Sequence, residues 1–125
     1  MYLRGNENRF IGNTIFGRSF GSPIISGEKN LIKGNVIHGS QIGLWVEGNN
    51  NRLIDNITIG NGNGIAIYNR SHDNLIHGNV ALENMIDLVD ENVDCDNNIW
   101  KNNVFNTTSN SILRPRPPVP VDCIH

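Results

Sequence analysis

The sequence predicts an all-β chain that winds as a parallel β-helix, a solenoid of about five coils followed by a proline-rich C-terminal tail. Two observations lead to this prediction. The 125 residues include 22 Asn and 13 Gly but only 2 Ala, a composition that disfavours helix bundles and favours short strands joined by tight turns. The pattern Asn-x-φ-x-x-Asn-x-φ, in which φ is usually apolar, also recurs five times, with its first Asn at intervals of 22, 21, 23 and 24 residues. Self-similarity at a fixed short period is the sequence signature of a solenoid.

The five copies share two Asn residues five positions apart and, in most copies, an apolar residue two positions after each Asn. They begin at Asn8, Asn30, Asn51, Asn74 and Asn98, so the repeats span about residues 6–106 of a single domain, 1–125. This period is too short for a pair of helices, and 8 Leu are too few for a leucine-rich repeat. Three short strands and three turns fill it, which makes each copy one coil.

Alternation within each copy predicts three columns of inward-facing side chains. The first column holds Phe10, Ile32, Leu53, Ile76 and Trp100, and the second holds Ile15, Ile37, Thr58, Ala81 and Phe105. The third column holds Ile24, Leu44, Ile65 and Ile86. In the third coil Thr58 is polar, so an alternative register that turns Ile57 or Ile59 inward stays open.

The two Asn residues of each copy are expected to form corners between strands. Asn tolerates the left-handed backbone region better than other non-glycine residues do. Stacked at the strand spacing of about 4.8 Å, their side-chain amides can hydrogen-bond from coil to coil, as in Asn ladders of stacked strands. We interpret these residues as structural ladders, and their use in binding sugar or metal is the competing interpretation.

The repeats at Asn30–Asn35 (NLIKGN) and Asn74–Asn79 (NLIHGN) resemble those of right-handed parallel β-helix proteins. That superfamily includes pectate lyases, polygalacturonases, mannuronan epimerases and a periplasmic carbohydrate-binding and sugar-hydrolase-like group. The segment Asp94–Phe105 followed by Cys123 also looks like the C-terminus of secreted members. The helical cap that usually covers the first coil has no counterpart in this sequence. The resemblance therefore implies either a C-terminal fragment of a longer protein or a first coil covered by another molecule.

The enzyme motifs of that superfamily are missing from this sequence. The Gly-His-Gly triplet of polygalacturonases does not occur, and the nearest string to the Asp-Pro-His-Asp of epimerases is Arg70-Ser71-His72-Asp73. A pectate lyase would need clustered carboxylates for calcium together with an Arg base. We therefore assign no catalytic residue from the sequence, and whether the chain is an enzyme stays open.

Two aromatic residues are candidates for binding a sugar. Leu44 and Val46 are expected to face inward, so that Trp45 between them faces solvent, and Tyr68 follows one coil later. An exposed aromatic ring can stack on the apolar face of a sugar ring. The alternative is that these rings pack under a neighbouring loop.

A polar turn follows Tyr68 and extends this candidate substrate site. Arg70, His72 and Asp73 together could provide a charge, a base and an orienting carboxylate for chemistry on a uronic acid. Polar turn residues without a ligand are commoner. We include all three with Trp45 and Tyr68 as candidate residues for binding an oligosaccharide or polysaccharide.

An acidic segment follows in the last coil. Asp90, Glu91, Asp94 and Asp96 lie close together in the sequence, and calcium takes 6–8 oxygen ligands of this kind. A calcium site is one interpretation, and a solvated acidic turn is the other. No other cofactor is expected.

The two cysteines, Cys95 and Cys123, are interpreted as a disulfide, because a metal site would need further ligands. The segment Arg114–Pro120 holds four Pro residues and cannot continue a hydrogen-bonded ladder. We expect an extended tail, residues 107–125, that folds back over the last coil and is pinned by the disulfide. A disulfide implies an oxidising compartment, so the sequence predicts a secreted or periplasmic protein.

Charge and hydropathy narrow the choice of partners. A net charge of −2 does not suit a protein that neutralises phosphates, so no nucleic-acid partner is expected. No apolar run approaches the roughly 20 residues of a membrane span. Because Met1–Glu7 lacks an amphipathic helical pattern that could cover Phe10 and Ile15, self-association through an open first coil is predicted.

Three functions are compatible with these features. The first is a carbohydrate-binding β-helix module of a secreted or periplasmic, polysaccharide-active protein. The second is a structural or assembly solenoid without a ligand, and the third is a fragment of a polysaccharide lyase or epimerase. The fold alone does not separate them, because one fold can support many activities.

Overall fold

A computed structural model of the chain describes residues 2–17, 22–92, 94–109 and 123–124. These residues form an all-β parallel solenoid of about five coils, as the sequence predicts. The single helical element among them is a short 3-10 turn, Cys95–Asn97. The proline-rich segment Arg114–Pro120 lies outside the described residues. The predicted start of the tail at residue 107 is wrong, since Thr108–Ser109 form a strand that pairs in parallel with Leu88 and Val89.

Strands in equivalent positions of successive coils stack into three sheets. The first sheet contains β1 (Tyr2–Arg4), β4 (Ile24–Ser26), β7 (Ile42–Glu47), β10 (Asn63–Ile67), β13 (Ile86–Asp90) and β15 (Thr108–Ser109). The second sheet contains β2 (Arg9–Ile11), β5 (Leu31–Lys33), β8 (Arg52–Ile54), β11 (Leu75–His77) and β14 (Ile99–Lys101). The third sheet contains β3 (Thr14–Phe16), β6 (Val36–His38), β9 (Ile57–Ile59) and β12 (Val80–Leu82). All strand pairs are parallel, because each coil returns the chain to the same side in the same direction.

The first and second predicted columns are confirmed. Register pairs Phe10, Ile32, Leu53, Ile76 and Trp100 in the second sheet. In the third sheet it pairs Ile15, Ile37, Thr58 and Ala81, and Phe105 packs against the same core. The alternative register in the third coil is wrong, since Thr58 is fully buried and Ile57 is 40% exposed.

The third predicted column is wrong at Ile24. This residue pairs with Trp45, whereas Ile25 pairs with Val46 and is fully buried in the core. Because Ile24 and Ile25 are adjacent and both apolar, the sequence pattern cannot show which of them faces inward. The register is decided by the partner strand, which places the bulky indole outside and the smaller Val46 inside.

The third column is also wrong at Ile86, whose place beside Ile65 is taken by Leu88. Ile86 instead packs against the outer cluster of this sheet. Strict alternation fails here, because Ile86 lies outside although Leu88, two positions later, lies in the core. In β7 and β10 the intervening position is Gly43 or Gly64, and a Cβ on Gly43 would lie 2.5 Å from the carbonyl oxygen of Gly64. In β13 the register aligns Asp87 with Gly64.

Two ladders of Asn side chains run through the corners of the solenoid, as predicted. In the first, the backbone N–H of each Asn donates to the side-chain oxygen of the Asn one coil later, from Asn8 through Asn30, Asn51 and Asn74 to Asn98, at 2.9–3.0 Å. The second runs in the same way from Asn13 through Asn35, Asn56 and Asn79 to Asn103, at 2.8–3.0 Å. Most ladder Nδ2 groups donate to the same oxygen as well. The amides therefore satisfy buried backbone groups at corners where no strand can do so.

The expectation that the ladder Asn residues adopt the left-handed conformation is wrong. The positive φ values fall on the residue immediately before each of them, for example Lys29 (57°) before Asn30 and Gly34 (66°) before Asn35. The preceding residue makes the turn, which leaves the Asn side chain pointing along the column. Glycine, Asn, Asp, Lys and Glu all occupy such turn positions. The hydrogen bonds of the Asn side chain, and not a left-handed backbone, therefore account for Asn at the ladder positions.

A third ladder at the remaining corner was not predicted. Ser40 N–H donates to the side-chain oxygen of Asn61, and Asn61 N–H donates to that of Asn84. Asn84 in turn donates through its N–H and Nδ2 to Asp87 Oδ1, at 3.2 and 3.1 Å. Because a carboxylate accepts hydrogen bonds and donates none, Asp87 ends this series of donors.

Cys95 and Cys123 form the predicted disulfide, with their Cα atoms 5.3 Å apart, a separation typical of such bonds. Cys123 is buried in the core cluster that also contains Trp100, and Ile124 packs against the same cluster. The disulfide thus holds a C-terminal segment against the interior of the last coils.

Candidate functional site

The candidate site lies on the outer face of the first sheet. Trp45 faces outward, as the sequence predicts, and pairs with Ala66 in the next coil, which pairs with Val89 in the one after. These residues belong to a small apolar cluster outside the main core, made of Ile42, Ala66 and Val89 with Trp45 and Ile86 packed against them. The cluster forms an apolar patch on the outer face of the first sheet.

Trp45 contacts Tyr68 at this apolar patch. Their ring centroids are 5.7 Å apart, and the ring planes are inclined by 42°. Tyr68 is 42% exposed, whereas Trp45 is half-buried and its buried indole nitrogen has no hydrogen-bond partner among the described residues. The exposed part of the pair is therefore chiefly the phenol ring of Tyr68, supported from below by the indole.

Acidic residues of the neighbouring coils align with Tyr68, a feature that we did not predict. Tyr68 directly follows β10, and the register of β10 with β7 and β13, continued by one residue, aligns Tyr68 with Glu47 and Glu91. The strand alternation could have found Glu47, which lies two positions after the outward-facing Trp45. Carboxylates accept hydrogen bonds from hydroxyl groups, so their positions beside an aromatic ring suit a hydroxyl-rich ligand.

The predicted polar residues Arg70, His72 and Asp73 lie in the turn that follows Tyr68. Ser71 N–H donates to the Tyr68 carbonyl at 3.1 Å and so closes the turn, in which Arg70 adopts a φ of 69°. His72 Nδ1 lies 2.7 Å from Asp73 Oδ2, and both side chains are almost half exposed. The carboxylate can therefore orient the imidazole, as a base and its orienting partner require. Trp45 thus contacts Tyr68 from the preceding coil, and the other three predicted sugar-binding residues follow Tyr68 in the turn.

The acidic residues proposed for calcium do not share one environment. Asp90 points into the solenoid, where Oδ1 accepts hydrogen bonds from the N–H and Nδ2 of Asn92, at 3.0 and 2.8 Å. Asp94 and Asp96 are exposed in the following turn. Within the part of the chain that the structure describes, no three His, Cys, Asp or Glu side chains group in a way that could hold a metal ion. The calcium site stays a prediction, which melting in chelator and in added calcium would test.

Asp90 has a structural role that the sequence interpretation missed. The side-chain oxygen of Asn92 accepts a hydrogen bond from the Arg70 N–H. The N–H and Nδ2 of Asn92 in turn donate to Asp90, so Asp90 ends this series of donors as Asp87 ends the third ladder. Burial raises the pKa of the Asp90 carboxyl above its ordinary value, although hydrogen bonds from Trp100 and Asn92 oppose the shift. The sequence could have shown that Asp90 is buried, because Asp90 lies two positions after the inward-facing Leu88 and strand alternation places both on the same side.

Comparison with known proteins supports the architecture. The sequence model of a family described as "Right handed beta helix region" matches residues 1–113. No curated protein and no solved structure matches the chain. Among the described residues, no helix is both long enough and apolar enough to cross a membrane.

Proposed function

The chain belongs to the right-handed beta helix family, and we propose that it uses this scaffold as a carbohydrate-binding module for an oligosaccharide or a polysaccharide segment. The observation that supports the proposal most is the contact of Trp45 with the exposed Tyr68 on the outer face of the first sheet. An aromatic ring fixed by a second ring loses little conformational freedom when it stacks on a sugar.

The charges around the pair favour a neutral sugar over an acidic one. Glu47 and Glu91 align with Tyr68 when the strand register is continued by one residue, and Asp73 lies in the next turn with Arg70 and His72. Carboxylates can accept hydrogen bonds from sugar hydroxyls, whereas they repel the carboxylate of a uronic acid. Arg70 is the permanent cation of this set and could pair with one acidic substituent at most.

The same proposal includes the compartment. The Cys95–Cys123 disulfide persists most readily in an oxidising environment, where extracellular polysaccharides are also found. We therefore propose that the module works in a secreted or periplasmic protein.

Isothermal titration calorimetry with soluble neutral oligosaccharides and with oligouronides tests the proposal. We expect binding of a neutral oligosaccharide that Tyr68→Ala weakens at least tenfold. Tyr2→Ala is the matched control, because Tyr2 is an exposed tyrosine of the same sheet that contacts no tryptophan among the described residues, and it should bind as the wild type does.

Three results would contradict the proposal. Equal affinities of Tyr68→Ala and wild type would place any sugar site elsewhere. Absence of heat with all sugars would favour a structural solenoid without a ligand. Release of unsaturated uronides, detected by ultraviolet absorbance, would instead favour the lyase alternative and a catalytic role for the turn that holds His72 and Asp73.

A further inference from the structure

The outer face of the second sheet combines basic and aliphatic side chains in a regular arrangement. Successive residues of a strand point to opposite sides, so two columns of outward residues flank the inward column of this sheet. The strand register aligns Arg9, Leu31, Arg52, Leu75 and Ile99 in one column, and Ile11, Lys33, Ile54, His77 and Lys101 in the other. Every coil therefore contributes one basic and one aliphatic side chain to this surface, which we call the basic face.

The basic face is a continuous surface, because its five strands stack in register and each is three residues long. At about 3.3 Å per residue and about 4.8 Å between strands, it measures about 10 Å by about 20 Å. It lies on a different side of the solenoid from the first sheet, which carries Trp45 and the candidate sugar site.

The cations of this face are exposed and have no acidic partner. Its four Lys and Arg residues, out of seven in the part of the chain that the structure describes, are Arg9, Lys33, Arg52 and Lys101. The five strands contain no Asp or Glu, and no described carboxylate forms an ion pair with any of the four cations. The net charge of −2 therefore conceals a local excess of positive charge, which attracts an anionic partner.

The aliphatic residues between the cations indicate which kind of anionic partner fits. Ile11 is 48% exposed and Ile99 is 55% exposed, and a soluble polyanion would leave such groups in water. The face contains no outward-facing aromatic residue, so it lacks the rings that stack on sugars or nucleic-acid bases. Cationic and aliphatic side chains on one surface are typical of elements that lie on anionic bilayers, because Lys and Arg extend to the headgroups above the aliphatic groups.

We propose that the basic face binds the surface of an anionic phospholipid bilayer, with the solenoid axis parallel to the bilayer plane. The guanidinium and ammonium groups contact lipid phosphates, and Ile11 and Ile99 enter the headgroup region between them. The attraction of basic residues to anionic lipids is electrostatic, so it weakens as salt rises. The first sheet stays accessible in this orientation, because it forms another side of the solenoid.

Co-sedimentation of the 125-residue chain with lipid vesicles tests this proposal. We expect binding to vesicles of phosphatidylcholine mixed with phosphatidylglycerol, and much weaker binding to phosphatidylcholine alone. Each basic residue near such a surface contributes roughly a fivefold gain in affinity, so Arg52→Glu should weaken binding at least tenfold. Arg4→Glu is the matched control, since it makes the same change at an exposed Arg of the first sheet, and its effect should stay below about twofold.

The double variant Ile11→Ser/Ile99→Ser distinguishes a bilayer from a soluble acidic polymer. It keeps every cation and should weaken binding to the mixed vesicles severalfold, whereas a polymer held by charge alone would not detect the change. Circular dichroism establishes that each variant is folded, which is expected because all the substituted side chains are exposed.

Three results would overturn the proposal. Equal binding to the two kinds of vesicle would show that lipid charge is not recognised, and equal losses in Arg52→Glu and Arg4→Glu would place the contact elsewhere. Unchanged vesicle binding by the double isoleucine variant, together with equally tight binding of soluble polyaspartate, would assign the face to acidic polymers. The vesicle experiment contains no sugar and the calorimetry contains no lipid, so the failure of one proposal is distinguishable from the failure of the other.

Discussion

The indole N–H of Trp100 donates a hydrogen bond to Asp90 Oδ2 across 2.8 Å inside the solenoid. The other oxygen of the same carboxylate accepts two hydrogen bonds from Asn92. Asp90 is 2% exposed, so an acid occupies a position that is apolar in earlier coils. The carboxylate thus joins Asn92 to Trp100 inside the solenoid.

The stability of the protein should therefore depend on the protonation of Asp90. Burial raises its folded-state pKa above the unfolded value, so the folded chain binds the proton more tightly. Lowering the pH through the folded pKa towards the unfolded value, about 4, should raise the contribution of Asp90 to the unfolding free energy, and raising the pH should reduce it. Urea unfolding of wild type and Asp90→Asn at several pH values measures this, since the variant lacks the titration. A difference that does not change with pH would contradict the prediction.

Replacing Thr58 by Val should stabilise the protein. Thr58 is fully buried between Ile37 and Ala81, and its hydroxyl has no hydrogen-bond partner in the part of the chain that the structure describes. An unsatisfied buried hydroxyl costs about 1–3 kcal/mol, which an isosteric methyl group avoids. Thermal melting should show a higher Tm for Thr58→Val than for the wild type. A lower Tm would mean that the hydroxyl is satisfied in solution.

Removing one ladder amide should destabilise the coils on both sides of it. Asn56→Ala deletes the oxygen that accepts from Asn35 and the Nδ2 that donates to the Ile32 carbonyl. Leaving these buried groups unpaired should cost about 3 kcal/mol or more. Asn69→Ala changes an exposed turn residue and should cost less than about 0.5 kcal/mol. Chemical denaturation compares the two, and similar losses would argue against a structural role for the ladder.

Reduction of the Cys95–Cys123 disulfide should lower the Tm. In the loop-entropy account, a bond between cysteines 28 positions apart contributes roughly 3–4 kcal/mol. The double variant Cys95→Ser/Cys123→Ser should melt at the lower temperature with or without reductant. A wild type that melts at the same temperature in both conditions would show that the bond contributes little.

The sequence predicted the elements of the fold that repeat and failed where the repeat is broken. The Asn pairs and the columns through Ile32 and Ile37 recur at a constant period, so each coil supports the interpretation of the others. Ile24 has an apolar neighbour at Ile25, and no pattern within three residues could choose between them. The register depended on pairing with Trp45 and Val46, which is a tertiary contact.

The candidate site was predicted less completely because its residues do not repeat. Alternation correctly turned Trp45 outward, but its contact with Tyr68 depends on the stacking of two coils. The acidic segment was treated as one surface cluster, whereas the structure divides it between the interior at Asp90 and the exposed turn at Asp94 and Asp96. The sequence shows that these acids are close along the chain, but the direction in which each side chain points depends on the backbone conformation at its position.

The ladders have a direction, since the backbone N–H of each ladder Asn donates to the side-chain oxygen of the Asn in the next coil, whereas Nδ2 donations to the coil before go to backbone carbonyls. The two faces of an internal coil are therefore complementary, and any internal coil fits between two others. Duplicating one complete period, such as residues 52–74, would lengthen the rod by about 4.8 Å without altering the chemistry of either terminus. Length in this architecture can thus evolve, or be engineered, in whole modules, with stability growing by one nearest-neighbour interface at a time.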